Sequence, residues 1–301
     1  DVISGRYSPA GRLAQTWYKS EYELAPIECY NIIENDMTYL YYRGKPLYPF
    51  GYGLSYAKFE YSDFDVKENG DVISVSLDVT NVSETDSDEV VQIYFRMENP
   101  SVKRPLRQLV AFAREHIKGG RKRHFEFDIK KSELRFYDVS RERFAVEQGR
   151  YTFMAGASSE DIRLTKTIDV SGEIIPPREL CKGIKAKNYD GKYGAKMKYS
   201  KKLEQHYMLG GGLIYNNCVL GEADSIEIVC GSRVNTGKIT VRYGGETLCE
   251  AEVKPTVDVT KFETVTAQFD KAVLAAIDRE KPAVFELWMP EEIYILGFRT
   301  Y

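Results

Sequence analysis

A period of two constrains this chain more than any other feature. In DVISVSLDVT (71–80), Ile73, Val75, Leu77 and Val79 point one way, while Ser74, Ser76, Asp78 and Thr80 point the other. EVVQIYF puts Val91, Ile93 and Phe95 on one face, HFEFDI does so with Phe125, Phe127 and Ile129, and GRYTFMAG with Tyr151, Phe153 and Ala155. Short alternating runs separated by turn residues predict an antiparallel β-sandwich over 56–172. Pro176 and Pro177 then mark a stiff linker over 173–180. Alternation resumes afterwards: Ile226, Ile228 and Cys230 share a face, as do Ile239, Val241 and Tyr243, and Phe285, Leu287 and Met289. The glycine clusters LGGGL (209–213) and YGGE (243–246) punctuate this second all-β unit, expected over 181–301.

The first 55 residues lack that pattern. Any helix in SEYELAPIECYNIIEND is short or broken at Pro26. Some forty residues without a periodic core are expected to pack on something larger. The segment closes on PLYPFGYGLSYAKFEY (46–61), with two prolines, two glycines and six aromatic rings in sixteen residues. Such a stretch has little helical propensity, and each ring can bury roughly 150–250 Å². A sugar-stacking platform and a strap that welds one surface to another are both open to it.

Composition narrows the function classes. The chain has 301 residues, 43% of them hydrophobic, enough for two or three separate cores. No apolar run approaches the roughly 20 residues of a membrane-spanning helix. The formal charge is −3 with both signs interspersed, which argues against a nucleic-acid partner. The basic cluster KGGRKRHFEF (118–127) reads as a solvated loop. The five cysteines are odd in number, and none forms a CxxC pair. That gives no support to zinc and favours a reducing compartment, a bacterial cytoplasm, over a disulfide framework. Cys230, on the apolar face of SIEIVC, reads as a buried free thiol. His116 and His124 read as solvent-facing, TDSDE (85–89) as a polar hairpin loop, and NVS (81–83) as a formal glycosylation sequon.

Two longer strings carry a family resemblance. SGRYSPAGRLAQTWY (4–18) and TYLYYRGKPLYPFGYGLSYAKFEYSDF (38–64) resemble the C-terminal end of family-3 glycoside hydrolases, the β-glucosidase and β-xylosidase group. VTNVSETDSDEVVQIYF (79–95), RPLRQLVAF (104–112) and LRFYDVSRERFAVEQGRYTFMAGASSEDIRL (134–164) resemble that family's fibronectin-type-III-like domain. KGGRK (118–122) stands where the family usually has a Pro-Gly-Glu turn, and Leu40 where an arginine is common. The resemblance covers residues 1–172 and makes 1–55 a remnant of an α/β-sandwich domain. It also favours the strap reading of 46–61.

The resemblance implies chemistry that this stretch does not supply. Family-3 enzymes are generally retaining, with an aspartate nucleophile from a preceding (β/α)8 barrel and an acid/base glutamate often from the α/β-sandwich domain. Retention needs two carboxyls about 5–5.5 Å apart, and a barrel takes about 250 residues of alternating strand and helix. No Asp or Glu here matches either role. The expectation is therefore no catalytic residue and no cofactor. The chain is read as a C-terminal fragment or separate chain of such an enzyme, inactive alone, whose partners are the missing barrel and α/β-sandwich domains.

Residues 181–301 resemble family-6-type carbohydrate-binding modules through IKAKNYDGKYG (184–194), GGGLIYNNCVLGEADSIEIVCGS (210–232), GKITVRYGG (237–245) and IYILGF (293–298). The fold expected overall is thus mainly β: a fibronectin-III-like sandwich, then a jelly-roll-like one, after a short irregular remnant. Such modules commonly hold a sugar between aromatic rings, and the candidates here are Tyr215, Trp288 and Tyr294. They often bind a structural calcium through acids near the first strand. Lys185 and Lys187 fall at that place, so no metal is expected. The alternatives are a free-standing carbohydrate-binding protein working through 181–301, with an oligo- or polysaccharide as partner, and a purely structural sandwich array.

Overall fold

The structure is a computed structural model that describes residues 1–27, 29–256 and 261–301. It is mainly β and divides into two compact units, one of residues 1–137 with 144–174, the other of 138–143 with 175–301.

The first unit runs through β1 (Phe59–Asn69), β2 (Val72–Asn81), β3 (Ser87–Met97), β4 (Gln108–Ile117) and β5 (Lys122–Lys130). The short pair β6 (Phe136–Asp138) and β7 (Arg143–Ala145) follows, then β8 (Gly149–Gly156) and β9 (Ile162–Val170). One antiparallel sheet has the order β1-β2-β5 and the other β4-β3-β8-β9. Ile73, Val75, Leu77 and Val79 share one buried core with Val91, Ile93, Phe95, Tyr151, Phe153 and Ala155. β2 alternates buried and half-buried along its whole length, as a strand with one wet face should.

β3 does not alternate. Val90, Gln92 and Tyr94 are buried on its other face, where part of the 1–56 segment lies. Gln92 Nε2 donates to the Gly51 carbonyl at 3.2 Å, Ser159 N donates to Phe50 O at 2.9 Å, and the Tyr39 ring meets Tyr94 edge-on. Before Thr38–Tyr41, a single α-turn (α1), the described residues of the segment hold one short 3₁₀ turn, Glu21–Glu23, capped by the Ser20 hydroxyl and ended before Pro26. Backbone bonds zip residues 13–17 to 47–52: Leu13 N to Tyr52 O, Gly51 N to Leu13 O and Trp17 N to Tyr48 O, each 2.8 Å. Two glycines permit this closeness. Gly51 has φ +81°, and a Cβ there would meet Gln92 Oε1 at 2.1 Å. A Cβ on Gly53 would meet the Gly11 carbonyl at 2.1 Å.

The second unit holds β10 (Arg178–Glu179), β11 (Ile184–Lys185), β12 (Gly191–Tyr193), β13 (Lys196–Ser200), β14 (Gln205–Val219) and β15 (Ser225–Ser232). β16 (Gly237–Tyr243), β17 (Glu246–Val253), β18 (Glu263–Gln268), the short helix α2 (Lys271–Ala276) and β19 (Ala283–Thr300) complete it. β10 pairs in parallel with β14, so the stretch expected as linker joins this sheet before residue 181. β14 and β19 are long and irregular. β19 pairs with β14 on one side, and on the other first with β16 and then with β15. The register steps at Gly210 and at 290–292 let one strand pair serve both ends of a single core that includes Leu213, Ile226, Ile228, Ile239, Val241, Phe285 and Leu287.

Candidate functional site

In the first unit, the zipped segment leaves a groove of about 600 Å³ on its outer side. Pro9, Leu13, Trp17, Tyr48, Tyr52 and Leu54 supply its apolar walls. Trp17, Tyr48 and Leu54 remain 47%, 40% and 65% exposed although each is large and apolar. The Tyr48 ring meets Trp17 edge-on at 6.5 Å and Tyr52 at 5.1 Å. None of the lining residues carries a carboxyl; Arg12 is the one charged member.

Arg12 is itself committed inward. Its Nη2 donates to Glu89 Oε2 at 2.8 Å, and the Tyr61 hydroxyl donates to Glu89 Oε1 at 2.8 Å. Burial pushes the Glu89 carboxyl above its ordinary range, against the downward pull of the Tyr61 hydrogen bond and the Arg12 charge. The network closes with the Arg163 guanidinium stacked over Tyr61 at 4.6 Å. Glu89 therefore pins the 1–56 segment to the sandwich. The polar loop expected over 85–89 is a correction at this point. β3 begins at Ser87, and Ser87 and Glu89 are buried because they lie in phase with the core face of Val91, Ile93 and Phe95.

In the second unit, the three rings expected to stack on a sugar are not brought together. Tyr215 is fully buried. It stands opposite Phe285, shares the core face, packs edge-on against Phe298 at 5.1 Å and donates its hydroxyl to Ala186 O at 2.9 Å. Tyr294 is also fully buried. The step at 290–292 turns it away from the main core and into a small cluster with Tyr207, Leu209 and Phe262, where its hydroxyl meets Thr256 and Lys261 O. Neither ring has a face to offer a ligand.

Trp288 lies on the outer face. Its ring rests on the backbone of Gly212, where a Cβ would sit 2.7 Å from it. Its second neighbour is Tyr193, parallel within 11° at 5.7 Å and 62% exposed. The indole Nε1 is buried with no hydrogen-bond partner among the described residues. Thr240 stands directly across on β16, and one pair further Arg242 Nη1 lies 3.7 Å from Glu286 Oε2. Tyr193 was missed from the sequence, although its signal was there: a glycine inside a strand marks close approach, and Gly212 is the register partner of both rings.

The remaining candidates are structural. His116 Nδ1 lies 2.9 Å from Asp88 and His124 Nδ1 2.6 Å from Asp78, both at exposed positions. Asn81, head of the sequon, is fully buried and donates to Thr85 O at 2.8 Å and Ile117 O at 2.9 Å. Cys218 and Cys230 are buried free thiols that burial pushes up to about 12. The carboxylate of Glu142 accepts from Lys185 Nζ at 2.8 Å.

Comparison with known families finds matches in the first half of the chain only. Residues 1–56 match the glycosyl hydrolase family 3 C-terminal domain, and residues 89–159 match the fibronectin type III-like domain. Both matches lie within the first 159 residues, so the likeness to family 3 glycosyl hydrolases is confined to that half of the chain. Family 3 relatives resemble it at about one-third identity. A thermostable beta-glucosidase B from Acetivibrio thermocellus is 33% identical over 190 residues, 58% of this chain and 25% of the relative. A xylan 1,4-beta-xylosidase from Xylanibacter ruminicola is 34% identical over 169 residues, 55% of this chain and 19% of the relative. Among solved structures, the family 3 β-glucosidase of Bifidobacterium adolescentis superposes with a TM-score of 0.55 at 30% identity, over 58% of this chain and 28% of that one. The Kluyveromyces marxianus β-glucosidase in complex with glucose gives 0.53 at 31%, over 57% and 22%. This chain thus spans about a quarter or less of the length of these curated family 3 relatives.

Proposed function

We propose that this polypeptide is the C-terminal accessory part of a retaining family 3 β-glycosidase of the β-glucosidase type, itself without nucleophile or acid/base. The carrying observation is the groove of Trp17, Tyr48, Tyr52 and Leu54: concave, aromatic, exposed and free of carboxyls. Retaining hydrolysis needs two carboxyls flanking the bond. Large apolar side chains grouped in one concave surface and left in contact with water mark an association surface. On this reading the groove docks the barrel and α/β-sandwich domains of the same enzyme, which bring the reacting acids, and residues 46–61 are the strap between them and the sandwich. The test compares the purified chain with the chain co-expressed with those domains, using an aryl β-glucoside. Activity is expected only in the second case and to fall with Trp17→Ala/Leu54→Ala, which breaks co-purification. Turnover by the chain alone overturns the reading.

The second reading, a carbohydrate-binding protein acting through residues 181–301, is favoured by the Tyr193–Trp288 stack and by an indole N–H that has no hydrogen-bond partner among the described residues. It accords with the likeness of that segment to family-6-type modules. It expects the chain to bind a neutral oligosaccharide such as cellohexaose or xylohexaose, and Trp288→Ala to abolish the binding in calorimetry.

A further inference from the structure

Residues 182–202 carry eight lysines against a single acid, Asp190, in a chain whose formal charge is −3. The charges are concentrated on the two short strands β12 and β13 and their connections. Among the described residues β13 pairs only with β14, which leaves its other edge without a strand partner there, and four of its residues, Lys196, Met197, Lys198 and Tyr199, are exposed. Lys182 is paired with Glu179 at 2.9 Å and Lys185 with Glu142 at 2.8 Å. Lys196, Lys198 and Lys201 have no carboxylate partner among the described residues. Aromatic surface is interleaved with them: Tyr193 is 62% exposed, and Tyr199, at 53%, lies against His206 at 5.0 Å.

We infer that the ribbon 192–202 is a binding surface for an anionic polysaccharide, a glycan bearing carboxylate or sulfate groups. Unpaired ammonium groups a few residues apart supply attraction to a repeating negative charge, which strengthens as counterions are released. Open tyrosine rings beside them supply flat apolar surface for pyranose faces, and the polar rim leaves the glycan hydroxyls solvated. Lysines on an open strand also prevent edge-to-edge pairing with another sheet. One or two suffice for that, and the role leaves the exposed Tyr193 and Tyr199 without a purpose. A nucleic acid shares the charge but fits less well, because the chain as a whole is acidic and would repel a long phosphate backbone beyond the ribbon. The inference shares Tyr193 with the neutral-sugar reading but does not depend on Trp288.

The experiment uses the full chain with three probes, oligogalacturonate, cellohexaose and a dT20 oligonucleotide, titrated at about 50 mM and about 200 mM salt. Oligogalacturonate is expected to bind, to lose about tenfold in affinity or more over that salt range, and to survive Trp288→Ala. Lys196→Glu/Lys198→Glu/Lys201→Glu should abolish binding, while the Lys→Arg version of all three retains it; equal melting temperatures show that both variants are folded. Tyr193→Ala/Tyr199→Ala should weaken it several-fold. No binding of oligogalacturonate at low salt, binding indifferent to the Lys→Glu variant, or tighter binding of dT20 each overturns the inference. Loss of cellohexaose binding alone, by Trp288→Ala, bears on the neutral-sugar reading and leaves this one standing.

Discussion

Arg12 and Glu89 show how one ion pair ties an irregular segment to a regular one. Their side chains are 12% and 2% exposed, so removing either partner leaves a charge without its counter-charge. Arg12→Ala is expected to lower the unfolding free energy of the first unit by about 3–5 kcal/mol, read from urea denaturation. Gly51→Ala adds a side chain at positive φ and against Gln92; it should cost about 1–3 kcal/mol in the same assay. The His124–Asp78 pair answers to pH. The hydrogen bond to Asp78 raises the His124 imidazole above 6.5. Its stabilising contribution is therefore full below the unfolded value and fades as pH rises through the folded one. An NMR titration should place the His124 midpoint above 6.5, and Asp78→Asn should bring it down. Much of this was hidden in the sequence because a charged residue in phase with apolar ones can read as a loop. Glu89 sits two positions before Val91, on the same face; the rule that a buried carboxylate needs partners would have sent the search toward an arginine, but nothing local points to one 77 positions away.

Among the elements, β2 was legible because one face is wet and the period survives. β14 and β19 were not, since each changes partners and steps in register, and a step of one residue moves every later side chain to the other face. That is why Phe285, Leu287 and Met289 were placed in the core correctly while Tyr215 and Tyr294 were mistaken for surface rings. The end of β2 carries its own test. Asn81 spends its amide on the Thr85 and Ile117 carbonyls, so the NVS sequon is closed once the sandwich has formed. Intact-mass analysis of protein secreted from a glycosylating host should show Asn81 unmodified. A glycan there would mean that the β2–β3 turn opens.

Across the whole molecule, two cores and five reduced cysteines give a simple accessibility pattern. Cys29 and Cys181 are exposed, Cys218 and Cys230 are buried and pushed up to about 12, and Cys249 is intermediate and pushed up to about 11. A thiol reagent at about pH 8 should therefore label two groups rapidly in the native chain and five after denaturation, because only the thiolate reacts and only exposed sulfur is reached. The groove of Trp17, Tyr48 and Leu54 has a consequence for handling the molecule in isolation. Uncovered rings of that size adsorb fluorescent dyes such as ANS and draw copies together, more strongly as sulfate is added. Light scattering on the pure chain should rise with concentration and fall when Trp17 and Leu54 are made polar, so solubility becomes a gauge of whether that surface has found its cover.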